Sequence, residues 1–299
     1  MSLSVIIVSY NTKQLLSDCL KSVYKSQSPK DGLEVIVVDN NSPDNSAQMV
    51  EADFPQVKLI ANQDNKGFAA ANNQAAAIAQ GKYLLFLNSD TKLTPHALVK
   101  PLKYLRTHQD VGAITIKLLL PTGQIDLDNH RGFPTPWTAL TKMLRLNTLF
   151  PNSRLFNNYY QSYKGYDRIH SIDVAAGSYI MLSKKLFDKI GGWDESYFFY
   201  GEDIDLCYRI RQTGKKIIYY PKVTTIHYKG ASSGLRKESA NKARPPKATR
   251  IKVAKASTQA MKIFYRKFYQ NQYPFFITYP ILLAITLLGW LRVIKHQLT

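Results

Sequence analysis

The sequence predicts an α/β fold in which a mostly parallel sheet is flanked by helices and followed by a helical C-terminal tail. Short apolar runs and helix-period segments alternate through residues 1–118, which is typical of a doubly wound parallel sheet. Polar residues follow several of the apolar runs, as they do where a ligand binds at the carboxyl ends of strands. Residues 236–299 are first basic and then apolar, so we predict that they form a separate segment.

Four strands and four helices are predicted in alternation over residues 1–118. Each strand is a short run rich in valine, isoleucine or leucine: Leu3–Ser9, Val35–Val38, Val57–Ala61 and Tyr83–Leu87. The helices show apolar residues at helical spacing, start signals or an alanine-rich composition: Thr12–Gln27, Ser42–Phe54, Gly67–Gln80 and Pro95–Thr107. Ser-Pro-Asp opens the second helix, Gly81 ends the third, and Pro95 lies in the first turn of the fourth.

The chain changes character after residue 118. Residues 119–170 are rich in proline, asparagine and tyrosine, so we expect a long excursion that covers the site and contacts a variable part of the substrate. A strand is predicted over Ile172–Ser183, a helix over Glu202–Gln212 and a short strand over Lys215–Tyr220. His227 is expected in the loop that follows.

The C-terminal segment has the composition of a membrane-associated tail. Between Arg236 and Lys267 there are eleven lysines or arginines and one acid, Glu238. Pro274–Leu291 then holds eighteen residues without a charge, which is the lower limit for a membrane-spanning helix. A helix on the membrane surface and a buried or oligomer-forming helix are the alternatives. The adjoining cations favour an anionic membrane surface, and the whole chain has a formal net charge of +19.

Two cysteines, Cys19 and Cys207, are far apart and belong to no CxxC pair. This usage fits a reducing compartment and argues against a disulfide framework. The first apolar run is too short for a signal peptide and lacks a basic region before it. We therefore expect the chain at the cytoplasmic face of the cell membrane.

Polar side chains follow four of the predicted strands, and we expect them to form one shared site. They are Ser9, Tyr10 and Asn11, then Asp39 with Asn40 and Asn41, then Asn65, and finally Asn88, Ser89 and Asp90. Asp90 at a strand tip, together with phosphate oxygens, suits Mg²⁺ or Mn²⁺. His227 could add a nitrogen ligand, and the alternative is a structural histidine held by hydrogen bonds.

A second group of acids lies in the segment Gly191–Leu206. Four carboxylates, those of Asp194, Glu202, Asp203 and Asp205, alternate there with aromatic residues. Carboxylates beside apolar rings tend to have shifted pKa values, and such groups cluster at active sites. The two acid sites together suggest a metal-holding carboxylate and a general base that the fold brings together. No phosphate-binding GxxxxGK[ST] loop, no GxGxxG after the first strand and no HExxH zinc motif occurs.

These residues, in this order, resemble the glycosyltransferase family 2 enzymes of the GT-A fold, a Rossmann-like sheet flanked by helices. The likeness is to the rhamnosyltransferase-like branch that builds bacterial surface polysaccharides. It covers about residues 3 to 235 and includes Val8-Ser9-Tyr10-Asn11, Val37 to Ser42 with Asp44, Asn65 to Phe68 with Asn72-Asn73, Leu87 to Thr91, Gly177, Gly191 to Leu206 with Arg209, and His227 with Gly230 and Ser232. The broad family has Asp-x-Asp where this chain has Asn88-Ser89-Asp90.

The resemblance implies a role for each matching residue. Nucleotide-sugar binding would fall to Ser9, Tyr10, Asn11, Asp39, Asn40, Asn65, Gly67, Phe68, Asn73, Asn88, Ser89 and Asp90. Asp90 and His227 would hold Mg²⁺ or Mn²⁺, and Asp203 would be the catalytic base. Contacts with the acceptor would come from Trp193, Asp194 and Glu202. Asp205 and Arg209, four residues apart, are expected to form a structural ion pair.

The implied activity is that of a metal-dependent inverting glycosyltransferase. Residues 1–118 would form the nucleotide-sugar half, residues 119–235 the acceptor and catalytic half, and residues 236–299 the membrane-associated segment. The first candidate donor is dTDP-L-rhamnose, and the acceptor is a lipid-linked saccharide in cell-surface polysaccharide synthesis. Self-association into a homo-oligomer stays open, and we expect no nucleic-acid partner.

Two other classes of protein stay open at this point. A nucleotidyltransferase also uses an α/β sheet and a metal-bound carboxylate, but it usually has a glycine-rich basic loop after the first strand, and this chain has no glycine there. A basic nucleic-acid-binding protein would account for the net charge. However, the aromatic residues within the basic segment run directly into the apolar tail, which favours a membrane.

Overall fold

A computed structural model describes residues 1–229 and 247–298 of the chain. The described strands form one mixed sheet: β1 (Leu3–Ser9), β2 (Leu33–Asp39), β3 (Lys58–Ala61), β4 (Tyr83–Asn88), β5 (Thr91–Lys92), β6 (Val111–Leu119), β7 (His170–Ile172), β8 (Tyr179–Ser183) and β9 (Lys216–His227). The strand order is β3-β2-β1-β4-β8-β6-β9-β5, and β7 pairs with β9. Strands β1 to β4 are mutually parallel, as predicted, while β8 runs antiparallel to both β4 and β6.

The described residues form ten α-helices. They are α1 (Lys13–Lys25), α2 (Ser46–Asp53), α3 (Phe68–Ile78), α4 (Val99–Thr107), α5 (Pro136–Met143), α6 (Leu146–Leu149), α7 (Lys184–Lys189), α8 (Glu202–Gln212), α9 (Lys247–Phe268) and α10 (Phe275–Leu298). Alternate residues of β1 enter two different cores: Val5 and Ile7 pack toward α1, whereas Ile6 packs toward α3. Because both faces are covered, the strand reads as a continuous apolar run instead of an alternating one.

Several predicted boundaries differ from the structure. The strand predicted over Ile172–Ser183 is two strands, β7 and β8, and helix α4 begins at Val99, so that Pro95 precedes it and does not lie in its first turn. Helix α2 begins at Ser46 and not at Ser42, because residues 42–45 form a polar turn in which the Ser42 N–H donates to Asp39 Oδ2 at 2.8 Å. The strand predicted to stop at Tyr220 continues to residue 227 as β9. His227 is therefore at the end of a strand, paired with Thr91, and the prediction of a loop position was wrong. The reason is a parallel pairing with β6 that extends to Leu119.

The C-terminal helices form an antiparallel hairpin. Lys247 at the start of α9 donates to the Gln297 carbonyl near the end of α10, and Tyr265 Oη lies 3.2 Å from Thr278 Oγ1 near the turn. The two helices are in close contact at Gly289, where an added Cβ would overlap the side chain of Thr258. Only glycine permits this approach.

The hairpin packs against helix α8. Phe264 and Tyr269 of α9 contact the ring of Tyr208 on α8, with centroids 5.7 and 6.0 Å apart. Within the described residues, α10 is the one helix whose length and composition would allow it to cross a membrane, over Phe275–Gln297. The predicted division at residue 235 lies outside the described residues and stays a prediction.

Candidate active site

Polar residues at the ends of β1, β2 and β4 share one edge of the sheet. The pairing register puts Ser9 beside Asp39 and Val8 beside Asn88. Thr12 joins two of these strand ends, because its Oγ1 lies 3.0 Å from Ser9 Oγ and 2.9 Å from Ser89 Oγ. The structure therefore brings the strand-end residues together, as parallel strands require.

Asp39 is buried, and one of its carboxylate oxygens has no partner among the described residues. Its Oδ2 accepts from the Ser42 N–H at 2.8 Å, but its Oδ1 accepts no hydrogen bond. Ser42 Oγ in turn accepts from the backbone N–H of Asn11 at 2.9 Å. Tyr10 precedes Asn11 and exposes its ring. A buried acceptor without a donor is costly, so Oδ1 is well suited to a hydroxyl or N–H of a bound nucleotide.

The loop next to this edge is held together by hydrogen bonds of Asn40 and Asn65 to Gly67. Asn40 Nδ2 donates to the Gly67 carbonyl at 3.1 Å, and Asn65 Oδ1 accepts from the Gly67 N–H at 3.0 Å. Gly67 has a φ of +85°, and an added Cβ would lie 2.8 Å from the Phe198 carbonyl oxygen. Glycine at this position thus lets the backbone at Gly67 approach the acid-rich segment that leads to α8.

Phe68 and Asn73 lie away from the strand ends, against the acid-rich segment. The Phe68 ring meets the Trp193 ring edge to face at 5.5 Å. Asn73 Nδ2 donates to the Trp193 carbonyl at 2.9 Å, and its Oδ1 accepts from the Trp193 N–H at 3.0 Å. In this structure both residues hold the segment in place, and neither is grouped with Ser9, Asp39 and Asn88. Their predicted nucleotide contacts stay predictions.

Asp90 and His227 face each other at the end of strands β5 and β9. His227 Nε2 lies 3.2 Å from Asp90 Oδ1, and both side chains are buried. Apart from this contact with His227, Asp90 Oδ1 has no partner among the described residues. The other ring nitrogen, His227 Nδ1, lies 2.8 Å from Asp126 Oδ2, and Lys229 also pairs with Asp126. Burial opposes the charged imidazolium, but the charges and hydrogen bonds of Asp90 and Asp126 outweigh it and raise the pKa of His227 to about 9.

This pair fits a divalent cation that is shared with a substrate. An oxygen and a nitrogen about 3 Å apart match adjacent ligands of an octahedral ion whose bonds are about 2.1 Å long. Asp90 Oδ1, which faces only the His227 ring among the described residues, could bind such an ion together with Nε2 once His227 has lost its Nε2 proton. No group of three or more His, Cys, Asp or Glu residues suited to a metal occurs within residues 1–229 and 247–298. The remaining ligands would have to come from substrate and water, which is usual for Mg²⁺.

Asp126 is a site residue that the sequence analysis missed. It accepts from His227 in the carboxylate–histidine arrangement that orients metal-bound imidazoles. Burial disfavours its charge, but the hydrogen bond and charge of His227, followed by Lys229, hold its pKa below the ordinary value. Asp126 comes from the proline-rich excursion and is 101 residues from His227 in sequence, so no local spacing could have revealed it.

The Asp203 carboxylate lies in the first turn of α8 and is held by an arginine from the excursion. Arg131 Nη2 donates to Asp203 Oδ2 at 2.6 Å, and both side chains are largely buried. The backbone N–H of Ile204 donates to the other oxygen, Oδ1, at 2.8 Å. Gly201, which precedes the helix, has a φ of +90°. Arg131 was also missed, because an arginine in an irregular segment carries no signal of its partner.

Glu202, next to Asp203, is buried with its Oε2 unpartnered among the described residues. Burial and then the charge of Asp203 raise the pKa of Glu202 well above its ordinary value. Glu202 therefore keeps its proton more readily than an ordinary glutamate does.

The other two predicted acceptor residues are engaged within the protein. Trp193 is only 1% exposed, and its ring packs between those of Phe68 and Phe86. Asp194 Oδ2 lies 2.5 Å from Lys267 Nζ of α9. Burial disfavours the charged carboxylate of Asp194, but the hydrogen bond from Lys267 outweighs it and lowers the pKa to about 2. The acceptor roles of both residues stay predictions.

The predicted pair between Asp205 and Arg209 is confirmed, with Arg209 Nε 2.5 Å from Asp205 Oδ1. Lys267 completes the group, because its Nζ lies 2.6 Å from Asp205 Oδ2. Asp205 is fully buried, so two cations compensate one buried charge. This arrangement links the helix of the candidate base to the C-terminal hairpin.

The fold places the chain among the GT-A glycosyltransferases. The solved mannosyltransferase from Pyrobaculum calidifontis, in complex with GDP-Man and Mn²⁺, superposes with a TM-score of 0.57 at 20% identity, covering 99% of this chain and 72% of that one. Residues 4–191 match Glycosyl transferase family 2, and residues 160–230 match the N-terminal domain of galactosyltransferase. Because the first match covers more than half of the chain, the protein belongs to glycosyl transferase family 2.

Two proteins with similar sequences are named for O-antigen biosynthesis and for sugar transfer to a lipid-linked saccharide. The N-acetylglucosaminyl-diphospho-decaprenol L-rhamnosyltransferase of Mycobacterium tuberculosis is 24% identical over 262 residues, covering 78% of each chain. The O-antigen biosynthesis protein RfbC of Myxococcus xanthus is 26% identical over 236 residues, which are 76% of this chain but only 17% of that protein.

Proposed function

We propose that this glycosyltransferase moves a sugar from a nucleoside-diphosphate donor to a lipid-linked saccharide, with inversion at the anomeric carbon. The proposal depends most on one observation. Asp39 Oδ1 is buried and unpartnered within the described residues, Asp90 Oδ1 is buried with only the His227 ring beside it, and both oxygens lie near the strand ends, where ligands bind in open α/β sheets. These two oxygens suit a hydrogen-bond donor and a cation, both of which a metal-bound nucleoside diphosphate would supply.

Asp90 and His227 would hold the divalent ion, Mg²⁺ or Mn²⁺. When bound, the ion would neutralise the charge that develops on the leaving nucleoside diphosphate. Asp126 keeps the His227 ring oriented through Nδ1, so that Nε2 faces Asp90. The solved mannosyltransferase relative contains Mn²⁺, which supports a metal of this kind here.

Asp203 would take the proton from the acceptor hydroxyl as that oxygen attacks the anomeric carbon. Arg131 fixes the direction of the carboxylate through Oδ2. The neutral Glu202 beside it avoids a second charge that would repel Asp203 or compete for the proton. One base without an enzyme nucleophile gives a single displacement, which inverts the anomeric configuration.

The donor and the acceptor are proposed from the relatives. The mycobacterial relative is named for L-rhamnose transfer and for a decaprenol-linked diphosphate sugar. We therefore propose L-rhamnose from a dTDP donor and a polyprenyl-diphosphate saccharide as the first pair to test. Such an acceptor lies at the bilayer surface, in agreement with the exposed apolar residues of α10. The reaction would take place at the cytoplasmic face of the cell membrane.

A donor and product assay tests this function. The full-length protein is incubated with Mg²⁺ or Mn²⁺, a panel of nucleotide sugars and a short-chain polyprenyl-diphospho-N-acetylglucosamine. We expect the release of a nucleoside diphosphate, with a product whose anomeric configuration by NMR is opposite to that of the donor. Retention of configuration would contradict Asp203 as a simple base, and release of pyrophosphate would identify a nucleotidyltransferase instead.

A further inference from the structure

Helix α5, in the excursion, buries polar side chains and exposes apolar ones. In α5, the threonines Thr138 and Thr141 are each 1% exposed and face the protein, whereas Met143 is 65% exposed. The α5–α6 face consists of Trp137, Leu140, Met143, Leu144, Leu149 and Phe150, all of which expose large apolar side chains. A helix of a soluble protein normally shows the opposite arrangement, and a contiguous exposed apolar surface marks an interaction site.

This face is held in a defined shape. The indole N–H of Trp137 donates to the Leu155 carbonyl at 2.9 Å, and its ring lies 6.3 Å from that of Phe156. Phe150 packs on the same Phe156 ring at 5.2 Å. The buried threonine hydroxyls donate to backbone carbonyls, Thr138 to that of Phe133 and Thr141 to that of Thr138. The hydrogen bonds of the buried threonines therefore fix the inner side of α5, and its apolar side chains point outward.

The charge around the face is of one sign. Between Asp128 and Asp167 the sequence contains five basic residues and no acid. Three of them, Lys142, Arg145 and Arg154, are exposed within or beside the face. An apolar surface whose own segment carries cations and no acid complements an anionic bilayer. It does not complement a second copy of itself, since a two-fold contact would bring like charges together.

The face also begins next to the C-terminal hairpin. Phe133, three residues before α5, packs against the ring of Tyr208 at 4.9 Å, in the cluster formed by α8, α9 and α10. Three residues span about 10 Å at most. Arg131, two residues before Phe133, donates to the candidate base Asp203. The α5–α6 face and the exposed side of α10 can therefore meet one membrane while the site stays close to it.

We propose that the α5–α6 face is a second membrane-contacting element, which inserts its apolar side chains into the headgroup region of an anionic bilayer. Together with α10 it would fix the orientation of the catalytic part relative to the membrane. This inference goes beyond the proposed reaction and does not depend on the identity of donor or acceptor. It adds a contact that the composition of the tail does not predict.

Site-directed fluorescence tests the proposal. Both native cysteines are buried, so a single introduced cysteine can be labelled with an environment-sensitive fluorophore. Three full-length variants are compared: Leu149→Cys on the α5–α6 face, Leu287→Cys on α10, and Ile78→Cys on an exposed apolar position of α3. Phosphatidylcholine vesicles with and without phosphatidylglycerol are added, together with lipids that carry a quencher at a known depth.

We expect the label at position 149 to shift its emission to shorter wavelength on anionic vesicles and to be quenched from the lipid side, while the label at 78 stays accessible to aqueous iodide. If only the label at 287 enters the bilayer, α10 binds membranes and the proposal for the α5–α6 face is wrong. If the label at 149 becomes protected without vesicles as protein concentration rises, the face binds a second copy, and the proposal is also overturned. Neither result bears on the sugar-transfer assay.

Discussion

Lys267 Nζ lies 2.6 Å from the buried Oδ2 of Asp205, and this contact joins the C-terminal hairpin to α8, whose first turn contains the candidate base Asp203. The same ammonium group reaches Asp194, eleven residues earlier in the acid-rich segment. The C-terminal hairpin is therefore a structural support of the catalytic part. The first prediction concerns this support.

Lys267→Met should lower the free energy of unfolding by about 1–3 kcal/mol, because Asp205 stays buried with only Arg209 to compensate its charge. Lys267→Arg keeps the charge and should recover most of the loss. Urea unfolding measures the difference, with Lys255→Met on the exposed side of the same helix as the matched control. Equal stability of the two methionine variants would show that the contact contributes nothing.

Asp203→Asn should reduce sugar transfer by about 10²–10⁴-fold, which is the usual cost of losing a general base. The amide keeps the size of the side chain but cannot accept the proton. Binding of the nucleotide sugar, measured by calorimetry, should change little, because the strand-end residues are untouched. A near-normal rate in this variant would remove Asp203 from the mechanism.

Arg131→Met should lower kcat while leaving the affinity for the nucleotide unchanged, since Arg131 contacts the base and acts through it. The decisive measurement is the double variant with Asp203→Asn. If Arg131 only positions Asp203, the double variant should be no slower than Asp203→Asn alone. An additional rate loss in the double variant would indicate an independent contact with substrate.

Asp90→Ala should weaken metal-dependent binding of a nucleoside diphosphate, because it removes the buried carboxylate that faces His227 in the proposed metal site. Asp126→Asn should weaken Mn²⁺ binding by about 10–100-fold, as loss of an orienting carboxylate typically does. Mn²⁺ affinity can be followed by electron paramagnetic resonance with nucleoside diphosphate present. Activity that survives EDTA unchanged in the wild-type protein would argue against the metal site.

Glu202 should make the protein less stable as the pH rises. Its pKa is raised in the folded state above the ordinary 4.5, so the folded protein binds the proton more tightly than the unfolded chain. The contribution to stability is complete below about pH 4.5 and is lost as the pH rises through the folded-state pKa. Glu202→Gln should flatten this decline in urea unfolding between acidic and alkaline pH, whereas Glu51→Gln on the exposed side of α2 should not.

Much of the fold could be predicted from local patterns. The four parallel strands and their helices follow from apolar runs and helical periodicity, and the clustering of Ser9, Asp39 and Asn88 follows from the rule that parallel strands end at one edge. The pair of Asp205 and Arg209 follows from their spacing on a helix. These features depend on residues that are near in sequence or related by simple sheet geometry.

The tertiary structure decided which residues from distant segments complete the site. Arg131 meets Asp203 across 72 residues, Asp126 meets His227 across 101, and Lys267 meets Asp205 across 62. Each is a charged group whose partner is chosen by how the excursion or the hairpin packs on the sheet, and hydropathy patterns carry no information about that choice. The sequence by itself determined the sheet, its ligand edge and the apolar tail. Long-range packing determined how each buried charge is compensated, because a buried charge is tolerated only where the fold supplies a partner for it.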